Sequence, residues 1–164
     1  MRQGKAILIC GKICSGKSFY TEKLRKEKNG VVLSCDEIVF ALFDGDLGGR
    51  HDEMTERIKQ YFYRKSLEIL NAGADVILEW GFWQRAWRTQ VRAFYEKHGI
   101  SSEFHYVDIS DADWQRNISE RNKRVAEGDG TAYYLDEGLM EKLQSLFEVP
   151  DRSEMDVWYL NERK

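Results

Sequence analysis

A chain of 164 residues holds one domain with room for a substantial core, and is too short for two ordinary ones. Hydrophobic residues at 42% and charged residues at 32% exclude a disordered chain, and no run approaches the ~18 apolar residues that a bilayer span needs. The formal charge of −3 gives no net basic field for holding long nucleic acid, although a local basic groove stays open.

The N-terminal "MRQGKAILIC" contains a short apolar run, Ala6–Cys10, that reads as a strand. It leads straight into a glycine loop and so does not read as a secretory signal. A helix is expected over Lys17–Lys28, stopped by Asn29-Gly30. A strand at 31–34 and a helix at 36–43 follow, then the Gly/Asp-rich "FDGDLGGRHD". Next come a helix at 52–71 with Gly73 behind it, a strand at 76–80 and a helix at 84–98 closed by Gly99. After a strand at 103–109, Ser110 and Asp113 form a capping pair for a helix over Asp111–Ala126. A glycine-bearing "EGDGTAYY", a helix at 136–147, the only proline at Pro150 and a strand at 156–160 complete the chain. Strands alternating with helices predict an α/β domain whose parallel sheet is covered on both faces. Ligands on such sheets bind at the carboxyl ends of the strands. Cys10, Cys14 and Cys35 are odd in number and lack metal-type spacing, so they read as reduced thiols of a soluble, cytoplasmic protein.

"GKICSGKS" satisfies G-x-x-x-x-G-K-[ST], the Walker A pattern, after an apolar strand and at the opening of a helix. The glycines Gly11 and Gly16 let the backbone N–H groups turn inward around a β-phosphate. Lys17 can reach the β- and γ-phosphates, and the Ser18 hydroxyl can ligate Mg²⁺. The nucleotide contact is expected along Gly11, Lys12, Ile13, Cys14, Ser15, Gly16, Lys17 and Ser18, running into Phe19. Cys14 reads as no more than a small residue of that loop.

Four further features bear on the reaction. Asp36 stands just past the second strand, facing the loop as an orienter of an attacking hydroxyl or a support for Mg²⁺, or else as a plain helix cap. Glu79 ends the third strand in a very apolar run, where a carboxylate is costly without a cation or hydrogen bonds. The water shell of Mg²⁺ would supply both; a solvent-facing edge is the alternative. Arg85, Arg88 and Arg92 share one face of the following helix, with Trp87, Val91 and Phe94 expected as core on the other. The first two lie where the helix dipole disfavours cations unless an anion binds, whereas Arg92 reads as a solvated charge. Arg121 interrupts the apolar stripe Trp114, Ile118, Val125, as a cation on a closing lid or as surface charge. The aromatics Trp80, Phe82, Trp83, Tyr133 and Tyr134 either stack on an acceptor or belong to the core, and "FDGDLGGRHD" frames the acceptor or merely connects helices. His51 in that stretch is too solitary for metal binding.

With these residues in place, the chain resembles the small P-loop kinase-like proteins of the AAA-domain ATP-binding group, allied to polynucleotide kinase, chloramphenicol phosphotransferase and the zeta toxins. The matching stretches are "GKICSGKS", "VVLSCDEIVFALF", "GADVILEWGFWQRAWR", "FHYVDISDADWQRNISERN" and "LFEVPDRSEMDVWYL". The resemblance implies a single domain over residues 1–164 with a nucleoside-kinase-like, three-layer P-loop NTPase fold. It also implies a five-stranded parallel sheet, a helical lid around 114–134, and ATP with Mg²⁺ as cofactors. It makes Lys17, Asp36 and Arg121 catalytic, with Asp36 as the base, and Arg85 and Arg88 acceptor-binding residues. Glu79 stands where these kinases carry an Asp, serving the metal through water beside Ser18. Arg121 and Asn122 match the lid "RN", and "FEVP" puts Pro150 near adenine. The expected activity is transfer of the γ-phosphate of ATP to a hydroxyl of a small-molecule or nucleotide-like acceptor. The alternatives are a polynucleotide 5′-hydroxyl kinase and an ATP-dependent switch; long nucleic acid and membrane are disfavoured as partners.

Overall fold

The computed structural model describes residues 2–162, so the ends of the expected 1–164 domain at Met1, Arg163 and Lys164 lie outside the described residues. Five strands, β1 (Ala6–Cys10), β2 (Val31–Leu33), β3 (Val76–Gly81), β4 (Ser102–Asp108) and β5 (Val157–Leu160), form one parallel sheet in the order β2-β3-β1-β4-β5. Six helices, α1 (Lys17–Lys28), α2 (Cys35–Phe43), α3 (His51–Asn71), α4 (Arg85–Lys97), α5 (Asp111–Ala126) and α6 (Glu137–Leu146), connect and cover it. β1 is central and apolar throughout, because both of its faces are covered.

Alternation along β1 divides the core into two. Ile7 and Ile9 face α1, where Tyr20 and Leu24 pack with Ile77 and Val107. Ala6, Leu8 and Cys10 face α3 and α4, with Phe62, Leu70, Val91 and Tyr95. A third cluster joins α5 and α6 through Trp114, Ile118, Leu135 and Leu139, and Ile13 and Cys14 of the glycine loop pack into it. The helical module beyond β4 is therefore built against the loop itself. The three cysteines are free thiols, and burial pushes Cys10 and Cys35 up to about 12. Among the described residues no helix is long and apolar enough to cross a membrane.

Local chemistry sets the boundaries near the site. Asn29 takes the left-handed conformation at the end of α1, with φ of 51°. Ser34 and Ser110 cap α2 and α5 by accepting from the N–H groups of Glu37 and Asp113. The cap of α2 is thus Ser34, the residue expected to end the strand, which stops one residue earlier at Leu33, and Asp36 is released from that duty. One expectation is reversed in part, for Trp87 and Arg88, while Val91 and Phe94 pack on the core as expected. The buried stripe of α4 is Arg88, Val91 and Tyr95, while Trp87 is 40% exposed beneath the Lys59 ammonium.

Candidate active site

The glycine loop follows β1 at the centre of the carboxyl edge of the sheet, and its shape is held from outside. The carbonyl of Gly11 accepts from the Trp83 indole at 3.1 Å, and that of Lys12 from the Lys17 ammonium at 2.8 Å. The carbonyl of Ile13 accepts from the Trp114 indole at 2.7 Å, and that of Cys14 from the Asn117 amide at 2.9 Å. The carbonyl of Ser15 accepts from the Asn161 amide at 2.9 Å, and that of Gly16 from the Tyr20 N–H at 3.1 Å. With its carbonyls engaged, the loop presents the N–H groups at the start of α1, which have no intrahelical partner. Two positions require their backbone freedom. Gly16 has φ of 94°, and a Cβ there would lie 2.2 Å from the Asn161 amide. Gly81 has φ of 84° and Phe82 φ of 45°, a left-handed pair that turns Trp83 back onto Gly11.

This cradle fits an anion. Burial lowers the Lys17 pKa below the usual ammonium range, and Glu79 is the largest influence in the opposite direction. The Ser15 hydroxyl is buried in the loop and has no hydrogen-bond partner. Beside it the Ser18 hydroxyl donates to Glu79 Oε1 at 2.6 Å, so the two expected Mg²⁺ groups share one place. Among the described residues no three acidic, histidine or cysteine side chains converge as a metal cage. Mg²⁺ takes one or two protein oxygens together with substrate phosphates and water, and the Ser18 and Glu79 oxygens form such a pair.

Burial raises the Glu79 pKa above the ordinary carboxylate range, against the opposing Ser18 hydrogen bond and the Lys17 charge. The fold thus favours protonated Glu79, whose contribution to stability is full at acid pH and is lost as pH rises through the raised value. Glu79→Gln is expected to stabilise the ligand-free protein at neutral pH by about 1 kcal/mol, a gain that disappears at acid pH. The same variant is expected to lose most of the Mg²⁺-dependent part of nucleotide stabilisation. Melting curves across pH, with and without Mg²⁺, check both.

Asp36 lies in the first turn of α2, exposed, and acts electrostatically on Lys17, Glu79 and Tyr133. Its charge is thus within electrostatic reach of the Lys17 ammonium, as the weakest of the influences on it, and of Glu79. Phe40, one turn further along α2, packs on Tyr133 at 4.9 Å between ring centroids, and His51 meets the same ring edge-on at 5.8 Å. Tyr133 and "FDGDLGGRHD" thus come together beside Asp36. Trp80 and Phe82 pack in the aromatic core with Phe62 and Phe104, and Tyr134 is exposed.

Arg121 leaves α5 toward the loop. Its Nε donates to the Tyr133 carbonyl at 3.0 Å, and its Nη1 stands 3.8 Å from Cys14 Sγ. Asn122 pairs twice with the backbone of Leu135, at 2.8 Å each way, and so ties the following turn to the helix. Phe19 is exposed beside the loop.

The other expected acceptor residues are elsewhere engaged. Arg88 is 2% exposed. Its Nε and Nη2 meet Glu154, and its Nη1 meets the carbonyls of Phe82, Trp83 and Glu148 at 3.0–3.2 Å. A guanidinium spent in this way has nothing left for an acceptor; it clamps the end of β3 to the segment before β5. Arg85 pairs with Asp151 and Glu154 of that segment, and Arg92 with Asp156. Pro150 is buried within it, and the contacts of its neighbours run to Trp83, Arg85 and Arg88 rather than to the glycine loop. Arg88→Ala strands Glu154 and three carbonyls and is expected to cost about 2 kcal/mol of stability, read from denaturant midpoints. Trp83, Asn117 and Asn161 are functional neighbours that sequence reading did not assign to the loop; each lies more than seventy residues from its carbonyl, with no local signal.

A family model described as "AAA domain" matches residues 7–150. Among solved structures, Kti12 from Chaetomium thermophilum in complex with ADP-AlF3 is similar at 18% identity and TM-score 0.71, over 95% of this chain and 88% of that one. The APS kinase CysC from Mycobacterium tuberculosis, in complex with AMPPNP and APS, is similar at 18% identity and TM-score 0.66, over 100% and 92%. The Pnkp1/Rnl/Hen1 RNA repair complex matches at 19% identity and TM-score 0.68, over 89% of this chain and 44% of that one. At these identities the likeness is one of fold. No curated protein matches.

Proposed function

The chain belongs to the AAA-domain family of P-loop kinase-like proteins, and on that premise we propose that it is a Mg²⁺- and ATP-dependent phosphotransferase acting on a hydroxyl. The observation that supports the reading is the Asp36 carboxylate in the first turn of α2, within electrostatic reach of Lys17 and freed from helix capping by Ser34. A switch that only hydrolyses ATP has no need of a base at an acceptor position.

In this reading the N–H groups of the loop and Lys17 hold the β- and γ-phosphates. Ser18 would hold Mg²⁺ and Glu79 would serve it through water, and the ion would draw charge from the phosphoryl oxygens. Asp36 orients the acceptor hydroxyl in line with the γ-phosphate and takes its proton. Arg121, already beside Cys14, reaches the transferring group when the turn that Asn122 ties to α5 closes as a lid, with exclusion of water. Arg121→Ala is expected to leave ATP affinity within about threefold and to lower turnover on the order of 30-fold. Equal losses in both, measured by titration and by ADP formation, would make Arg121 a ground-state phosphate ligand instead.

The test of the function is whether a fractionated small-molecule extract stimulates ADP formation from Mg²⁺-ATP. Stimulation confined to particular fractions, and absent in Lys17→Ala, supports a kinase. An ADP rate indifferent to every fraction would favour the switch.

A further inference from the structure

Tyr133 is where the turn after α5 meets the elements on the other side of the site. Its carbonyl accepts from Arg121 Nε at 3.0 Å, while its ring packs on Phe40 of α2 and meets His51 of α3 edge-on. Asp36 and Phe40 are four residues apart on α2 and so share one face of that helix. The ring seated on Phe40 therefore lies along the face that carries Asp36. Gly128 and Gly130, both exposed, lead into the turn, and beyond Tyr133 it is held by the double pairing of Asn122 with Leu135. One residue thus touches Arg121 and the helix of Asp36.

The hydroxyl of Tyr133 is the incomplete part of this contact. It is sealed from solvent, and among the described residues it has no hydrogen-bond partner. A buried hydroxyl in that condition costs stability. The charges that act on it are Asp36 first, then Arg121 and Asp46. A guanidinium offers no acceptor atom. Asp46 is the weakest of the three, and its Oδ1 already accepts from the Gly48 N–H at 2.8 Å. Asp36 is left as the acceptor of choice, since a carboxylate can take a hydroxyl on one oxygen and a second donor on the other. Burial, and then the charge of Asp36, raise the Tyr133 pKa above the ordinary phenol range, so the group is a donor at neutral pH.

We propose that Tyr133 is a positioning residue for the transfer: as the turn closes, its hydroxyl donates to the Asp36 carboxylate while its carbonyl carries Arg121 along. This rests on the phosphotransferase reading and deepens it. The new hydrogen bond supplies what the ligand-free seat lacks, so its formation favours the closed state. It fixes one oxygen of Asp36 and leaves the other to orient the acceptor hydroxyl. Tyr133 keeps its proton, and the proton of the acceptor passes to Asp36.

Tyr133→Phe keeps the ring on Phe40 and the carbonyl on Arg121 and removes only the hydroxyl. A tyrosine with a merely structural role would lose stability and function together, whereas here the two move in opposite directions. The melting temperature of the ligand-free variant is expected to rise by about 2–4 °C, because the unpaired hydroxyl is gone. Mg²⁺-ADP with aluminium fluoride mimics the transferring phosphoryl group, with water in the place of the acceptor. Its affinity in calorimetric titration is expected to fall about tenfold or more in Tyr133→Phe, while that of Mg²⁺-ADP alone stays within about threefold. In an Asp36→Ala background the same substitution is expected to change the aluminium fluoride titration by less than about twofold. Wild-type affinity for the aluminium fluoride complex in Tyr133→Phe, or the same loss with and without Asp36, would overturn this role and leave the phosphotransferase reading standing. A lower ligand-free melting temperature would mean that the hydroxyl is already paired, and would overturn it as well. Aluminium fluoride that adds no affinity in the wild-type protein would sink the phosphotransferase reading itself, and the role of Tyr133 with it.

Discussion

Replacing Lys17 by alanine is expected to abolish the rise in melting temperature that Mg²⁺-ATP gives the wild-type protein, and to remove turnover by a factor on the order of a thousand. Lys17 is the cationic reach of the cradle, with an ammonium that burial already disfavours in the absence of an anion. In the ligand-free state it donates to the Lys12 carbonyl at 2.8 Å, so its loss frees one carbonyl and takes away the charge that holds the phosphates. A ligand at a hundred times its dissociation constant stabilises by about 2.7 kcal/mol, and a hundredfold weaker affinity removes most of that. The remaining loop carbonyls keep their ties to Trp83, Trp114, Asn117 and Asn161, so the ligand-free variant should melt near the wild type. A wild-type shift preserved in the variant would mean that nucleotide does not sit in the loop.

Asp36→Asn separates the kinase from the switch. The substitution keeps size and one acceptor oxygen but removes the charge and the basicity. Since phosphoryl transfer is largely positioning and electrostatics, transfer to an acceptor should fall on the order of a hundredfold. ATP affinity should stay near normal, because Asp36 belongs to α2 rather than to the loop and is only a minor influence on Lys17. The helix should remain intact, since Ser34 and not Asp36 accepts from the Glu37 N–H. A hundredfold fall in ATP affinity with turnover preserved at saturation would place Asp36 at the nucleotide and leave the acceptor without a base.

Elements with local signals were legible from the sequence alone. β1, α1 and α5 begin and end where their apolar runs, glycines and caps indicate. The phosphate loop was legible because its chemistry needs particular residues at fixed spacing within eight positions. The orientation of α4 was not. Arg85, Arg88 and Arg92 look like a ligand-facing stripe, and the partners that bury Arg88 lie on Glu154 and on carbonyls turned by the left-handed Gly81-Phe82. Neither feature leaves a trace near α4 in the sequence. Pro150 was placed near adenine by motif similarity alone; that its segment is stapled to the segment after β3 through Trp83 and Glu148 had no local signal. The donors that shape the loop come from four separate elements, and only the folded sheet brings them to one edge.

The claim that this protein transfers phosphate to a hydroxyl is tested most directly by following the γ-phosphoryl group of labelled ATP in the presence of a complex small-molecule pool. The account predicts that label appears in an organic phosphate ester in step with ADP, and that Asp36→Asn suppresses the ester without suppressing nucleotide binding. Label recovered only as inorganic phosphate, at the same rate with and without the pool, would contradict it.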